Sequence, residues 1–336
     1  MARGVRLLLR ALALLIFTTL SISAAVAQTS INDVHVAPRE RSIIPGAPVQ
    51  GPHRLDGLSL IRSKVDLVLV PVTITDAMNR PVTGLERDNF QVFENKQPQE
   101  IRNFSTEDTP VSIGIIMDNS GSMVNKIDRA REAIRQFCEA SNPQDEFFMI
   151  TFSNEPRLAS DFTDRPEEIE NALLGTPPHG ETSLLDAIYM GIHKMKDARY
   201  PRRALLILSD GGDNHSRYSE REVKSAVREA DVMIYSVGTF DRYATTREEL
   251  LGPELLQSVS EVTGGQSYTL TNLAELPQVT RSIGTRLRHQ YMLAYRPPAR
   301  ARDGKWHKIK IKLRLPKKWT AFLRVNARTG YYSGAE

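Results

Sequence analysis

The chain has 336 residues, 25% of them charged and 40% hydrophobic, and a formal net charge of +4 at pH 7. The first 27 residues contain three arginines and no acidic residue, so the remainder carries 41 basic against 40 acidic residues. This balance argues against a nucleic-acid partner, and the single cysteine, Cys138, excludes an intrachain disulfide.

Residues 1–27 have the pattern of a secretory signal peptide. Three arginines, the last at Arg10, precede an apolar stretch from Ala11 to Ile22, and the segment ends in Ala25-Val26-Ala27. A membrane anchor is the alternative, but the stretch is shorter than the about 20 residues that a span requires. The small-x-small ending is typical of a cleavage site. We therefore expect cleavage after Ala27, an exported (periplasmic, secreted or cell-surface) protein, and no transmembrane segment in the mature chain.

Two segments of different character follow. Residues 28–60 are polar, contain four prolines and lack periodicity, which predicts a flexible linker. Residues 61–108 have the pattern of a β segment, in which Val65, Leu67 and Leu69 share one face of the first strand. Further strands are predicted over Phe90–Phe93 and Glu100–Phe104.

From residue 109 to 297, continuous apolar runs alternate with amphipathic segments. Strands without apolar-polar alternation are typical of a parallel sheet that is covered on both faces. The predicted fold class is therefore α/β, with a mostly parallel, Rossmann-like sheet between two layers of helices. The predicted strands are Val111–Met117, Phe147–Phe152, Ala204–Leu208 and Val232–Val237. The predicted helices are Ile127–Ala140, Pro166–Leu174, Leu184–Met195, Glu220–Glu229 and Pro253–Val262.

Three polar segments stand at the ends of these runs. Asp118-Asn119-Ser120-Gly121-Ser122 follows the first strand, Thr182 precedes a helix, and Asp210 follows another strand. Each alone could be a turn or a helix cap. Carboxylate and hydroxyl oxygens are, however, ligands for hard cations, and the ends of strands in such a sheet are where ligands bind.

Together the three segments resemble the metal-ion-dependent adhesion site of von Willebrand factor type A domains, the family that includes integrin inserted domains. The resemblance covers about Pro110 to Pro297. It implies that Ser120, Ser122 and Thr182 bind the ion, Thr182 directly or through water. It also implies that Asp118 and Asp210 hold ion-bound waters, and that an Asp or Glu of a protein partner completes the coordination. The implied ion is Mg²⁺, with Mn²⁺ or Ca²⁺ as alternatives.

The carboxyl-terminal residues, 298–336, form a second β segment. Trp306 to Leu315 alternates strictly, and Phe322 to Val325 follows after a turn. Because an isolated hairpin is marginally stable, we expect these strands to pair with residues 61–108 in a small β-sandwich that carries residues 109–297 as an insertion. Its stripe of Lys308, Lys310, Lys312 and Arg314 could bind an acidic surface, but edge-strand lysines that block aggregation are the favoured interpretation. Pro81-Val82-Thr83-Gly84-Leu85 precedes the α/β segment, and Arg328-Thr329-Gly330-Tyr331-Tyr332 comes near the end of the chain. With these two stretches the whole chain resembles a class of exported bacterial proteins that contain a type A domain.

Enzymatic motifs are missing from the sequence: there is no Gly-x-Ser-x-Gly, His-Glu-x-x-His or Walker loop. Glu181, Asp213 and Asn214 lie near the candidate ligands, and Glu181 or Asp213 could act as a base in a metal-dependent hydrolase. A purely structural metal in an envelope scaffold is the other alternative. The favoured function is an exported, non-enzymatic adhesion protein that recognises a protein partner through a divalent ion.

Overall fold

A computed structural model describes residues 67–174, 177–210, 212–240, 247–298 and 303–333, all of which belong to one compact unit, Ser63–Glu336. The predicted signal peptide and linker lie outside the described residues. Among the described helices, none has the length and apolar character needed to cross a membrane.

Helices and strands alternate through the middle of the chain, and strands dominate both ends. The strands are β1 (Val68–Thr75), β2 (Phe90–Glu94), β3 (Gln97–Gln99), β4 (Ile101–Ser105), β5 (Ser112–Asp118), β6 (Glu146–Phe152), β7 (Pro156–Thr163), β8 (Arg203–Ser209), β9 (Met233–Thr239), β10 (Ser267–Leu270), β11 (Tyr291–Tyr295), β12 (Trp306–Leu313), β13 (Arg324–Ala327) and β14 (Gly330–Tyr332). The helices are α1 (Ile127–Ala140), α2 (Pro166–Leu173), α3 (Leu184–Lys194), α4 (Glu220–Glu229), α5 (Arg247–Glu261), α6 (Leu276–Arg288) and α7 (Lys317–Thr320).

A six-stranded sheet with the order β10-β9-β8-β5-β6-β7 forms the centre of the α/β part. All neighbouring pairs are parallel except β6 and β7. Every residue of β5 is buried, because one hydrophobic cluster covers each face of the sheet. The chain leaves β5 for β6 on one side and reaches β8 on the other, so the strand order reverses at β5. The fold-class prediction is confirmed.

The two remaining sheets, β13-β1-β11-β4 and β14-β12-β2-β3, enclose a third hydrophobic cluster. Strands from both ends of the described chain meet here: β1 pairs with β13, and β2 pairs with β12, all antiparallel. The Tyr295 hydroxyl donates to the buried Glu94 carboxylate at 2.7 Å, which joins the two sheets through their core. The β-sandwich is therefore built from residues before and after the α/β part.

Three details differ from the sequence-based expectations. The buried face of β1 is formed by Val70, Val72 and Ile74, whereas Leu67 and Leu69 of the predicted face have the opposite phase; Val65 lies outside the described residues. Leu69 instead lines a small cavity against the α/β part. Strand β11, which falls within the predicted 109–297 segment, pairs with β1 and β4 of the β-sandwich.

The predicted carboxyl-terminal hairpin is also divided, because β12 and β13 lie in different sheets of the sandwich. Strand β12 lies between β14 and β2, but along different parts of its length: Trp306–Lys308 pair with β14, and Ile309–Leu313 pair with β2. At Lys310 and Lys312 the strand pairs with β2 alone, and at Lys308 it pairs with β14 alone, so each of these lysines has one partner strand among the described residues. The favoured interpretation of the lysine stripe stays a prediction.

Candidate metal centre

Asp118, the last residue of β5, is fully buried at the point where the strand order reverses. Its Oδ1 accepts the Ser120 backbone N–H at 2.9 Å, and its Oδ2 accepts the Ser209 hydroxyl at 2.6 Å. Both carboxylate oxygens therefore already have a donor, one from the following turn and one from the end of β8. This arrangement fixes the turn at Ser120 relative to the neighbouring strand.

The Ser120 and Ser122 hydroxyl oxygens lie 3.0 Å apart, with Ser120 buried and Ser122 exposed. Two adjacent oxygen ligands of an octahedral Mg²⁺, each about 2.1 Å from the ion, are separated by about 3.0 Å. The two hydroxyls are hydrogen-bonded to each other, and the same spacing matches one edge of an octahedron. The exposed member of the pair, Ser122, opens that edge to solvent.

The loop that carries Thr182 is held against this turn by backbone hydrogen bonds. The His179 N–H donates to the Asn119 carbonyl at 2.9 Å, and the Gly121 N–H donates to the Gly180 carbonyl at 3.0 Å. Thr182 is 6% exposed, and its own N–H donates to the Asn214 side-chain oxygen at 2.9 Å. Two separate loops therefore fix the position of Thr182.

Asp210 follows β8 and is paired with Lys126, the residue that directly precedes α1. The Lys126 ammonium lies 3.1 Å from Asp210 Oδ2 and donates to the Thr239 carbonyl at 3.4 Å. Both side chains are largely shielded from solvent, with 19% of Lys126 and 10% of Asp210 exposed. The ends of β5, β8 and β9 thus converge on one small region.

Burial, followed by the nearby charge of Asp210, raises the pKa of the Asp118 carboxyl to about 6. The hydrogen bonds from Ser120 and Ser209 act in the opposite direction. A buried carboxylate beside a second one is costly to ionise, and a bound cation would offset that cost.

The three neighbouring polar residues named in the sequence analysis have other partners. Asp213 accepts the Leu185 N–H at 3.2 Å and the Ser216 hydroxyl at 2.6 Å, so it serves the start of α3. Asn214 holds the Thr182 backbone. Glu181 is exposed and forms an ion pair with His215.

Sequence reasoning missed Ser209 and Lys126. Ser209 directly precedes Asp210, so its place at the end of a predicted strand was a usable signal. Lys126 contacts Asp210 across 84 positions of the chain, a pairing that no local pattern predicts.

The donors fit a hard divalent ion. Ser120, Ser122 and Thr182 offer neutral hydroxyls beside two buried carboxylates, and the Ser183 and Thr239 hydroxyls have no hydrogen-bond partner among the described residues. No group of three or more His, Cys, Asp or Glu side chains in the described parts of the chain could hold a metal. A metal centre here would therefore depend on the hydroxyl oxygens, which suit Mg²⁺, Mn²⁺ or Ca²⁺.

Residues 113–212 match the family model of the von Willebrand factor type A domain. The chain contains a von Willebrand factor type A domain. The match begins within β5 and ends just after Asp210, so it contains all five candidate metal-site residues. The matched residues run from β5 to just beyond β8, and so include four of the six strands of the α/β part.

Two relatives illustrate the range of proteins to which the chain is similar. Inter-alpha-trypsin inhibitor heavy chain H4 of Homo sapiens is 26% identical over 141 residues, which cover 38% of this chain and 15% of that protein. A UPF0353 protein of Mycolicibacterium paratuberculosis is 26% identical over 197 residues, 51% of this chain and 59% of the relative. The chain thus spans less than two thirds of the length of either relative.

Solved structures with a similar chain path include a von Willebrand factor type A protein from Catenulispora acidiphila. It is 11% identical, with a TM-score of 0.48, over 82% of this chain and 76% of that one. The vWF domain of the type V pili tip protein Mfa5 from Porphyromonas gingivalis is 12% identical, with a TM-score of 0.43, over 52% of this chain and 95% of that one.

Proposed function

We propose that the type A domain binds a protein partner through a divalent metal ion, and that the chain acts outside the cytoplasm as a non-enzymatic adhesion protein. Ser120, Ser122 and Thr182 would hold the ion through their hydroxyls. Asp118 and Asp210 would act through ion-bound waters, and Mg²⁺ is the proposed ion. The export pattern of residues 1–27 supports the location.

The spacing of the Ser120 and Ser122 hydroxyls carries this proposal. Their 3.0 Å separation suits adjacent ligands, and both oxygens of the nearby Asp118 carboxylate already accept hydrogen bonds from Ser120 and Ser209. A carboxylate whose oxygens already have donors supports a role through ion-bound water rather than through direct coordination. The same holds for Asp210, which already binds Lys126.

The chemistry of the partner follows from the charge of this set of ligands. An ion bound by neutral hydroxyls keeps more of its positive charge than one bound by carboxylates, and Lys126 adds a further positive charge nearby. The coordination position left to the partner should therefore prefer an anionic oxygen. An Asp or Glu side chain of a protein supplies one.

A binding role is also favoured over hydrolysis by the partners of the two candidate bases. Glu181 pairs with His215 at the surface, and Asp213 accepts two hydrogen bonds at the start of α3. Neither carboxylate is held towards the Ser120 and Ser122 hydroxyls by a contact among the described residues.

The direct test is metal-dependent stabilisation. Adding Mg²⁺ or Mn²⁺ to the chelated protein should raise its Tm, because a ligand that binds only the native state stabilises it by about 2.7 kcal/mol at a hundredfold excess over Kd. Ser122→Ala and Thr182→Ala should each reduce this increase. Ser225→Ala, which removes an exposed hydroxyl from α4, is the matched control.

The partner can then be sought by affinity capture from cell-envelope extract, with Mg²⁺ and again with chelator. Neutralising the one required Asp or Glu of the partner should weaken binding by roughly thirtyfold or more, since truncating one member of a desolvated charged contact costs about 2 to 5 kcal/mol. Equal binding in chelator would refute metal-dependent recognition.

A further inference from the structure

The final part of the β-sandwich has a strongly one-sided charge. Residues 304–333 contain nine lysines and arginines and no acidic residue, which leaves 35 basic against 40 acidic residues in the rest of the chain. The near-neutral total therefore conceals a basic region on a slightly acidic protein. Of its cationic side chains, Lys305 and Arg328 form ion pairs with Asp303 and Asp231.

The lysines of β12 all extend from one face of their sheet. Lys308, Lys310 and Lys312 are exposed, and the alternating Ile309 and Ile311 are buried in the sandwich core. Residues two apart in a strand are separated by about 6.8 Å along it. None of the three lysines forms an ion pair with a described residue, so their charges are available to an external anion.

A shallow open depression lies along this lysine face. Lys96 of the adjoining turn joins the three lysines around it, and the Lys312 ammonium lies 4.9 Å from the centre of the Phe93 ring. The lining contains no Asp or Glu. A cationic surface with an aromatic floor and no internal counter-ion is complementary to a negatively charged ligand.

The loop after β12 presents large apolar side chains to solvent. Trp319 is 61% exposed and Phe322 is 67% exposed, although the neighbouring Leu323 packs against the sandwich core. The loop is a tight one, because the Trp319 N–H donates to the Pro316 carbonyl at 2.8 Å and the Phe322 N–H donates to the Trp319 carbonyl at 3.2 Å. The two exposed rings are thus held by an ordered backbone.

A second apolar tip lies beside this loop. Met78, in the turn after β1, is 74% exposed, and the adjacent Asn79 side chain accepts a hydrogen bond from Arg324 at 3.5 Å. Lys318 and Arg324 provide exposed positive charge within the same few residues as the two rings. Apolar and aromatic side chains mixed with lysine and arginine are the composition of surfaces that lie in the interfacial layer of a membrane.

We propose that the β-sandwich docks onto an anionic lipid bilayer through a basic-aromatic surface. Its lysines would bind headgroup phosphates, and its rings would enter the interfacial layer. A soluble polyanion would use the lysines but would leave the apolar tips exposed, so the combination favours a bilayer. The basic-aromatic surface consists of Lys308, Lys310 and Lys312 on β12, and of Trp319 and Phe322 in the segment that follows it.

The test uses vesicles and a fluorescent residue already in the chain. The chain has two tryptophans, so Trp306→Phe leaves Trp319 as the single reporter. In chelator, which removes any contribution of the metal centre, this variant should sediment with vesicles of phosphatidylglycerol and phosphatidylcholine. Its emission should shift to the blue, and phosphatidylcholine vesicles alone should bind it much more weakly.

Substitutions separate the two components of the surface. Lys310→Gln should weaken binding about fivefold, the equivalent of about 1 kcal/mol for one charge at an anionic membrane. Lys196→Gln, which removes an exposed lysine of the type A domain, should have no effect. Phe322→Ser should weaken binding about tenfold, whereas Leu174→Ser, at a residue that is 70% exposed elsewhere, should not.

Three results would overturn the proposal. The first is the lack of binding to anionic vesicles, and the second is equal binding to neutral ones. The third is vesicle binding that dextran sulfate abolishes while Phe322→Ser leaves it unchanged, which would identify a site for soluble polyanions instead.

Discussion

Lys126 introduces a fixed positive charge at the edge of the metal centre. Its ammonium lies 3.1 Å from Asp210 and is mostly shielded from water, so it offsets one of the two buried carboxylates. The site without an ion therefore has a net charge near −1 rather than −2. This lowers the electrostatic attraction for a divalent ion but leaves the bound ion more electrophilic towards a partner.

Replacing Lys126 by Met should consequently raise the affinity for Mn²⁺ by roughly tenfold, or about 1.4 kcal/mol. Isothermal titration calorimetry on the chelated protein measures the change. Lys126→Arg keeps the charge and should stay close to the parent value. Unchanged affinity in the Met variant would mean that Lys126 serves only to hold Asp210 in place.

Asp145, at the turn before β6, provides a pH-dependent prediction away from the metal centre. Its carboxylate accepts the Val111 N–H at 2.7 Å and the Asn142 N–H at 2.9 Å. Burial nevertheless raises the pKa of this carboxyl to about 6. The folded chain then holds the proton more tightly than the unfolded chain. The protonated Asp145 carboxyl therefore makes its full contribution to the free energy of unfolding below about pH 4, and this contribution is lost as the pH rises through 6.

The asparagine of the Asp145→Asn variant does not titrate. The free energy of unfolding of this variant, relative to that of the parent protein, should therefore increase as the pH rises from 4 to 7. We expect a relative gain of about 2 kcal/mol from a shift of about two pKa units. Urea unfolding of both proteins across this range measures it, and all other titrating groups cancel in the difference. A difference that does not vary with pH would show that the buried carboxyl titrates normally.

At the scale of elements, the loop before α3 depends on a glycine. Gly180 has φ +74°, and a Cβ atom there would lie 2.3 Å from the Asn154 side-chain oxygen, which also accepts the Glu181 N–H at 2.7 Å. An alanine would have to displace Asn154 and, with it, the loop that positions Thr182.

Gly180→Ala should therefore reduce both stability and metal affinity. Gly84→Ala is the matched control, because Gly84 has φ +81° but no atom within 4 Å of the added methyl group. The control should lose about 1 kcal/mol from backbone strain alone and keep its metal affinity. Thermal unfolding with and without Mg²⁺ distinguishes the two. Equal metal affinity in both variants would show that the contact between Gly180 and Asn154 does not determine the position of Thr182.

Most strands of the six-stranded sheet could be predicted from the sequence. The strands β5, β6, β8 and β9 are continuous apolar runs, and their positions were predictable because both faces of the sheet are covered. Strand β7 was missed, since its residues are only partly buried and include Arg157 and Asp161. Helix α6 was also missed, although the spacing of Leu276, Ile283 and Leu287 fits a buried helical face.

Strand partners are harder to predict than strands. The sequence Tyr291–Tyr295 is almost entirely buried, as in a parallel strand, but it joins β1 and β4. Its pairing is decided by which sheet edge is available in three dimensions. The order of Asp118, Thr182 and Asp210 predicted the candidate site because strand ends meet at one edge, whereas the Lys126 contact depends on side-chain placement after folding.

At the scale of the whole molecule, the β-sandwich requires both ends of the described chain. Ending the chain at Pro298 would remove β12, β13 and β14 and uncover Val72, Ile74 and Phe90. We expect that truncated chain to aggregate in size-exclusion chromatography, because this core would be open to solvent.

A fragment of residues 109–290 retains the complete six-stranded sheet, from β5 to β10, and all six helices that cover it. It should unfold cooperatively and keep the metal-dependent increase in Tm. A monomeric, cooperatively folding chain that ends at Pro298 would contradict the requirement for strands from both ends.

The pairing of β1 with β11 and β13 also affects the order of folding. Val72 lies opposite Tyr291 and Ala327, more than 200 positions later in the chain. Contacts so distant in sequence form slowly, because closing a long loop costs entropy before any contact offsets it. The type A domain can therefore acquire its structure while β1 still lacks both neighbours. During that interval the exposed edge of β1 is the part of the molecule most open to pairing with another chain.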